Sequence, residues 1–439
     1  MKVSKIAIIL AAALLVLGLA STSFAFHSGG VAECEGCHTM HNSLNNLAMD
    51  TSLPQYQAGA FLLQGSDKSD ACLNCHQETS DTGPSDYHIA TSDAHIPAGT
   101  APLEMTPGGD FGWLKKTYSF VVRGSTSTND GDTHGHNIIA TDHGYIADSR
   151  LTTAPGGTFV AANLACSSCH DPHGKFRRNA DGTITTTGLP IWNSGSYNTS
   201  NNPVAARNAV GVYRLLGGNG FAPKSTGYAF VNDPPAAVAP GTYNRNESST
   251  ETRVAYGRGM GEWCGNCHSG LVQNGYTSGM AGLTHPAGNS AKLTTAIIAN
   301  YNTYVKSGDL TGTNNYLSLV PFEEGVADQG TASYAQLKTD SNTSGVNSHP
   351  ADASSGVMCL SCHRAHASGF ASMIRFGHEN EFMTIADSTG APIYPDVSVN
   401  SAVSQGLNAG EQQSAYYGRP ATRWAAYQRL LCNKCHAKD

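Results

Sequence analysis

Every cysteine of this 439-residue chain belongs to one pattern, Cys-x-x-Cys-His, and the pattern occurs six times. The copies hold Cys34, Cys37 and His38; Cys72, Cys75 and His76; Cys166, Cys169 and His170; Cys264, Cys267 and His268; Cys359, Cys362 and His363; and Cys432, Cys435 and His436. This is the attachment pattern of c-type haem: two thiols add to the porphyrin vinyl groups, and the adjacent His becomes the proximal ligand of the iron. A lone copy would fit a redox dithiol, half a zinc site or chance. At these Cys and His frequencies chance would yield on the order of 0.01 copies, so six are not chance. Tetrahedral zinc does not require a His after every second cysteine. Twelve cysteines divided among six haems leave none for disulfides.

Lys2 and Lys5 precede an apolar run from Ile6 to Ala20, and small residues follow to Ala25. That order predicts a secretory signal peptide over 1–25, removed to leave 26–439. The run is short for a membrane anchor, and no later stretch reaches the length of a transmembrane helix. Export agrees with the cysteines, because c-type haem is attached outside the cytoplasm. The chain is mildly acidic, with 26 Lys and Arg against 33 Asp and Glu, and haem propionates add to the deficit. With no basic run, a nucleic-acid partner is excluded. Only 13% of residues are charged. That fits a surface buried against a partner, and it fits equally a neutral Ser/Thr/Asn-rich exterior.

Gly (48) and Pro (19) are abundant, and stretches such as 193–202 and 234–246 hold neither helical nor strand periodicity. In an ordinary domain so much loop would count against folding. Here each ~70 residues of chain receive a large apolar disc, so macrocycles stand in for a side-chain core. The expected fold is mostly irregular coil with short α-helices and few β-strands. It is an elongated multihaem cytochrome c organised around six covalent haem c groups, in one domain over 26–439. Leu293–Lys306 has helical spacing, and Arg419–His436 reads as a helix leading into the last motif. Tyr118–Arg123 and Tyr228–Val231 read as short strands.

Eighteen histidines are present, and the twelve outside the motifs are twice what six distal positions need. A haem with His on both faces has no open coordination site and passes electrons without binding substrate. An open haem is often announced by a motif altered to Cys-x-x-Cys-Lys, and none occurs. Three motifs continue to a second His three residues on, giving His41, His173 and His366. That His cannot cross the porphyrin to the far face of the same iron, so it is expected to serve a different haem; the alternative is a surface His that recurs at this offset. Three more distal ligands are assigned to His136, His285 and His349, in the long intervals between motifs; His27 and His88 are their rivals. Pro after His285 and His349 holds the backbone extended for presenting a ligand. His95, His134, His143 and His378 read as ordinary polar or surface histidines. Bis-His ligation predicts low reduction potentials.

Phe26-His-Ser-Gly-Gly-Val-Ala-Glu ahead of the first motif, Thr106-Pro-Gly-Gly-Asp-Phe-Gly-Trp, Cys166-Ser-Ser-Cys-His-Asp-Pro-His-Gly-Lys, Cys359-Leu-Ser-Cys-His-Arg-Ala-His-Ala-Ser-Gly-Phe and Leu431-Cys-Asn-Lys-Cys-His-Ala-Lys-Asp carry a resemblance. The chain resembles the outer-surface hexahaem cytochromes of metal-reducing bacteria, from Phe26 to Asp439. The resemblance implies end-to-end polymerisation into extracellular filaments with a continuous haem chain of alternating parallel and T-shaped pairs. It implies electron delivery to extracellular ferric or manganese oxides, electrodes or partner cells, with other c-type cytochromes as donors. It also implies that His41 ligates the fifth haem of the adjacent subunit. Repeating that step within one subunit assigns His173 to haem one and His366 to haem three. His136, His285 and His349 are then left for haems two, four and six in some order. The competing readings are a monomeric periplasmic or outer-membrane electron carrier, and a multihaem reductase with one open haem.

Overall fold

The computed structural model describes residues 34–43, 47–54, 57, 59, 61–84, 87–223, 226–241, 247, 253–272, 286–325, 331–341, 349–379, 381–427 and 431–436. The expected leader, His27 and His285 lie outside them. Each motif is a single helical turn. Outside the second motif, whose His76 ends the helix Lys68–His76, the His N–H donates to the carbonyl of the first cysteine four residues back: His38 to Cys34, His170 to Cys166, His268 to Cys264, His363 to Cys359 and His436 to Cys432. That turn places both thiols on one side. The second motif ends a longer helix.

The helices, in chain order, are α1 (Cys34–Cys37), α2 (Lys68–His76), α3 (Met260–Cys264), α4 (Thr295–Thr303), α5 (Thr331–Asp340), α6 (Cys359–Cys362), α7 (Ser401–Ser404) and α8 (Ala409–Ala415). Short 3-10 turns, including Cys166–Ser168 and Cys432–Lys434, fill much of the rest. α2 begins on a capping box, in which Asp67 accepts from Ser69 and Asp70 while Asp70 accepts from Asp67 N–H. The same two carboxylates accept from Thr141, Asp142 and His143, which fastens the 141–143 turn against the helix.

The strands are β1 (Tyr118–Val122), β2 (Ser125–Asn129), β3 (Arg177–Arg178), β4 (Ile184–Thr185), β5 (Val210–Gly211), β6 (Ala237–Val238), β7 (Ala255–Tyr256), β8 (Ile385–Ala386) and β9 (Pro392–Ile393). All pair antiparallel, and only β4-β3-β5 goes beyond two strands. The β1–β2 hairpin turns through Arg123 and Gly124, both at positive φ, as a two-residue turn of the favoured hand requires. Tyr118 and Phe120 point inward and Ser119 outward.

The predicted strand at Tyr118–Arg123 is β1, and α4 occupies the middle of Leu293–Lys306, capped by Thr294. Two expectations are corrected. Tyr228–Val231 is not a strand, because the Asn266 side chain takes the N–H groups of Val231 and Asn232 in place of a partner strand. Arg419–His436 is not one helix. Met383 and Thr384 donate to the Ala426 carbonyl, and the Trp424 indole N–H donates to Tyr394 Oη, so this segment is held by distant partners.

The buried side chains form four separate clusters among the described residues. Motif cysteines pack against three of them: Cys362 and Cys435 on the largest, Cys264 on the second and Cys166 on the third. No described helix is long and apolar enough to cross a membrane.

Candidate functional site

The motifs follow one another in space as they do in sequence. Cys37 lies close enough to Cys75 to interact electrostatically. Cys72 lies beside Cys166, Cys169 neighbours Cys267, Cys264 lies beside Cys359, and Cys362 neighbours Cys435. The contacts alternate, second cysteine to second, then first to first, through all six motifs. All twelve cysteines are outside disulfides. Burial pushes the Cys169 and Cys362 thiols up to about 12 and those of Cys267 and Cys435 up to about 11. Surroundings this hostile to a thiolate suit an uncharged thioether.

Five motif imidazoles share one arrangement. Nδ1 donates to a backbone carbonyl: His38 to Phe61 (3.0 Å), His76 to Tyr87 (2.9 Å), His170 to Arg214 (2.7 Å), His268 to Pro155 (2.8 Å) and His363 to Ser372 (2.9 Å). A carbonyl only accepts, so the proton sits on Nδ1 and the Nε2 lone pair is left for a metal.

Motifs one, three and five add an identical clasp. The residue after the proximal His donates to the residue after the acceptor: Thr39 to Leu62, Asp171 to Leu215, Arg364 to Met373. Two residues further on, the clasp strand donates back to the second cysteine: Gln64 to Cys37, Gly217 to Cys169, Arg375 to Cys362. Leu62, Arg214, Leu215, Ser372 and Met373 all hold positive φ, a backbone strain of about 1–3 kcal/mol each that only a well-packed surrounding sustains. This threefold repeat went unseen in sequence, because the clasp segments (Phe61-Leu-Leu-Gln, Arg214-Leu-Leu-Gly, Ser372-Met-Ile-Arg) lie at three different distances from their motifs.

The rings then pair. An imidazole nitrogen sits about 2.0 Å from its metal, and the ring centre ~1.1 Å beyond, so two rings on opposite faces of one iron stand ~6.2 Å apart. His38 and His173 are 6.4 Å apart between ring centres, at 11° between planes. His170 and His366 are 6.4 Å apart at 59°, and His136 and His268 are 6.0 Å apart at 40°. In each pair a motif His faces a His outside its own motif, across a gap the depth of a bis-His iron. Burial pulls His136 down to about 4 and His366 to about 3, holding both in the neutral form that ligates. The residues present therefore fit haem c at these motifs.

One short pairing builds the centre of this arrangement. His136 N–H donates to His366 O, Ser368 N–H to His134 O, and His136 Nδ1 to Ala365 O at 2.7 Å. Gly135 lies against His366 O and Ala367, where a Cβ would come within 2.3 Å of that carbonyl. His134, expected to be an ordinary polar histidine, is instead fully buried. Its Nδ1 donates to Ser368 O at 3.0 Å, and its Nε2 meets no acceptor or donor among the described residues. That matches the proximal rings, and burial lowers it to about 4. Its only sequence signal is the His-Gly-His spacing it shares with His136.

The other histidines take other positions. His41 is exposed, as are its neighbour Met40 and, six residues on, Leu47. His349 is held at Nδ1 by Glu324 Oε2 (3.0 Å), with Asp352 3.9 Å from Nε2. His88, His95 and His143 place Nδ1 on Asp81 (2.6 Å), Glu78 (2.8 Å) and Asp70 (3.1 Å), and His378 is exposed.

No protein-family profile matches the chain. It is 58% identical over 439 residues to the curated C-type cytochrome OmcS of Geobacter sulfurreducens, covering 99% of each chain. Two solved structures from Geobacter sulfurreducens are similar: the OmcS nanowires seen by cryo-electron microscopy and the Outer Membrane Cytochrome S filament. Each is 59% identical, with a TM-score of 0.86, over 94% of this chain and 100% of that one.

Proposed function

This chain belongs to the family of the C-type cytochrome OmcS, and from that membership we propose that it polymerises end to end into an extracellular, haem-lined filament. The filament carries respiratory electrons to acceptors outside the cell, such as ferric and manganese oxides, with other c-type cytochromes as donors. Residues 26–439 act as one conducting unit after export on the 1–25 leader. When bound, each haem supplies a one-electron ferric–ferrous couple. The chain's own task is to hold the haems in order and close both faces of each iron.

The twelve motif cysteines hold the six haems, and His38, His76, His170, His268, His363 and His436 are the proximal ligands. The observation that carries the reading is the set of three imidazole pairs at 6.0–6.4 Å. They support His173 as distal ligand of haem one, His366 of haem three and His136 of haem four. His41, exposed next to exposed Met40, serves haem five of the next subunit. His134 joins His285 and His349 for haems two and six, and it takes one of them on the strength of its buried, open Nε2. With every iron closed by two imidazoles, the protein transfers electrons and does not turn over a substrate.

The test replaces His41 by Ala. The variant should keep six haems by pyridine haemochrome assay and a monomer-sized species by electron microscopy, with filaments lost. Normal filaments from it would defeat the junction. A high-spin ferric haem in the unaltered filament would defeat the closed-iron reading in favour of a reductase.

A further inference from the structure

Next to the carbonyl that carries the second motif's imidazole, three ligating side chains meet outside every imidazole pair. They are Asp81, His88 and Glu104, and one ligand atom from each lies within 4.8 Å of the other two. Glu104 is 2% exposed and His88 7%. The Asp81 side chain, 28% exposed, forms the open edge. The frame that aims them is fixed by other groups. Asp81 N–H donates to Glu78 Oε1 at 2.8 Å. Ile89 N–H donates to His76 O and Glu78 N–H to Ala90 O, which fastens the stretch after His88 to the end of α2. Glu104 N–H donates to Asp110 Oδ2 at 2.9 Å, and Asp110 also accepts from the Thr91 N–H and hydroxyl. The Tyr87 ring packs 4.1 Å from the His88 ring, centre to centre.

Two carboxylates face one imidazole here, and His88 Nδ1 lies 2.6 Å from Asp81 Oδ2. The trio therefore carries at least one net negative charge. Carboxylates brought together out of water repel unless a cation sits between them. Ligand atoms bound at ~2.1 Å to one ion stand ~3–4 Å apart, so small side-chain movements close this trio on an ion. An imidazole with two carboxylates is a donor set for a borderline divalent ion such as zinc. Calcium and magnesium take oxygen alone, and cuprous copper takes sulfur. We propose that Asp81, His88 and Glu104 bind one divalent transition ion of the zinc class, with water completing its shell at the Asp81 edge. This site is separate from the six irons. The ion holds His88, and the adjacent Tyr87 O accepts from His76 Nδ1 at 2.9 Å, so it also steadies the imidazole of the second motif.

The experiment is calorimetric titration of full-length holocytochrome with Zn²⁺, with calcium in excess to occupy surface carboxylates. One zinc site per chain is expected. Asp81→Asn and Glu104→Gln should each weaken it by at least about tenfold, the least that losing even a supporting partner costs. His378→Ala, at an exposed ring, should bind as the parent does. Zinc-edge X-ray absorption of the loaded protein should show one imidazole and oxygen neighbours at about 2.0–2.2 Å. Absence of binding, unchanged affinity in both carboxylate variants, an equal loss in His378→Ala, or a shell without imidazole overturns the site. If Glu104→Gln does not mature, Asp81→Asn at the open edge carries the same comparison. His88→Ala separates the site from haem ligation: zinc affinity should fall while the spin states of the haems stay as in the parent. A haem that turns high-spin only in that variant makes His88 an axial ligand and overturns the proposal.

Discussion

A histidine that binds a metal through Nε2 must dispose of its Nδ1 proton, and here that proton is the clearer indicator of role. Five motif rings and His136 give it to backbone carbonyls, which only accept and so fix the tautomer of the neutral ring. His134 does the same toward Ser368. His134→Ala should therefore retain six thioether-bound haems while turning one of them high-spin, read by electron paramagnetic resonance. His134→Met should keep that haem low-spin and raise its potential. Six low-spin haems in the Ala variant would return His134 to the ordinary buried histidines. Sequence reasoning reached His136 but passed over His134, two residues away, because both carry the same local pattern. What separates a ligand from a bystander is which carbonyl lies within 3 Å of Nδ1, and that carbonyl is 234 residues distant in sequence.

Elements do little here by their own propensity and much by what they clasp. Motif turns are legible because their spacing is covalently imposed. The β1–β2 hairpin and α4 are legible because each carries its own turn or cap residue, Gly124 and Thr294. The expected terminal helix was not, because its aromatic spacing answers to Tyr394 and Met383 on a distant segment rather than to its own next turn. The pairing of 134–136 with 365–368 is the element most exposed to a single change. In Gly135→Ala the new Cβ would lie 2.3 Å from His366 O and 2.5 Å from the Ala367 Cβ, so the two strands must part. The expected cost is about 1–3 kcal/mol, seen as a lower thermal midpoint. Because the pairing carries His136 and His366, the low-spin signals of two haems should broaden while the other four hold. A variant with all six signals unaltered would show that the strands do not aim these rings.

Across the molecule, stability should carry a pH dependence set by one buried carboxylate. Glu323 bridges Tyr256 and Gly356 and accepts from Gly259 N–H at the start of α3. Burial raises it from 4.5 to about 7, against the pull of Gly259 N–H and Lys292. The folded protein thus keeps a proton that the unfolded chain releases above about 4.5. The stabilisation is complete below that pH and is lost as pH rises through about 7. Glu323→Gln cannot titrate, so its stability relative to the parent should improve by roughly 2 kcal/mol between about pH 5 and pH 8 in thermal or denaturant unfolding. A flat difference would assign the titration elsewhere.

The sequence by itself carries six attachment motifs, and from their spacing come the expectations of six haems, two thioether positions in each, an adjacent proximal His, and service to other irons by His41, His173 and His366. Those follow from covalent spacing, which no tertiary contact can change. Only the tertiary structure decided that His173 faces His38, His366 faces His170 and His136 faces His268. It also decided that the cysteines alternate second-to-second and first-to-first along the file, and that the odd motifs share a clasp. Those depend on which distant carbonyls and strands meet, and in a chain this poor in periodic structure nothing local announces the meeting.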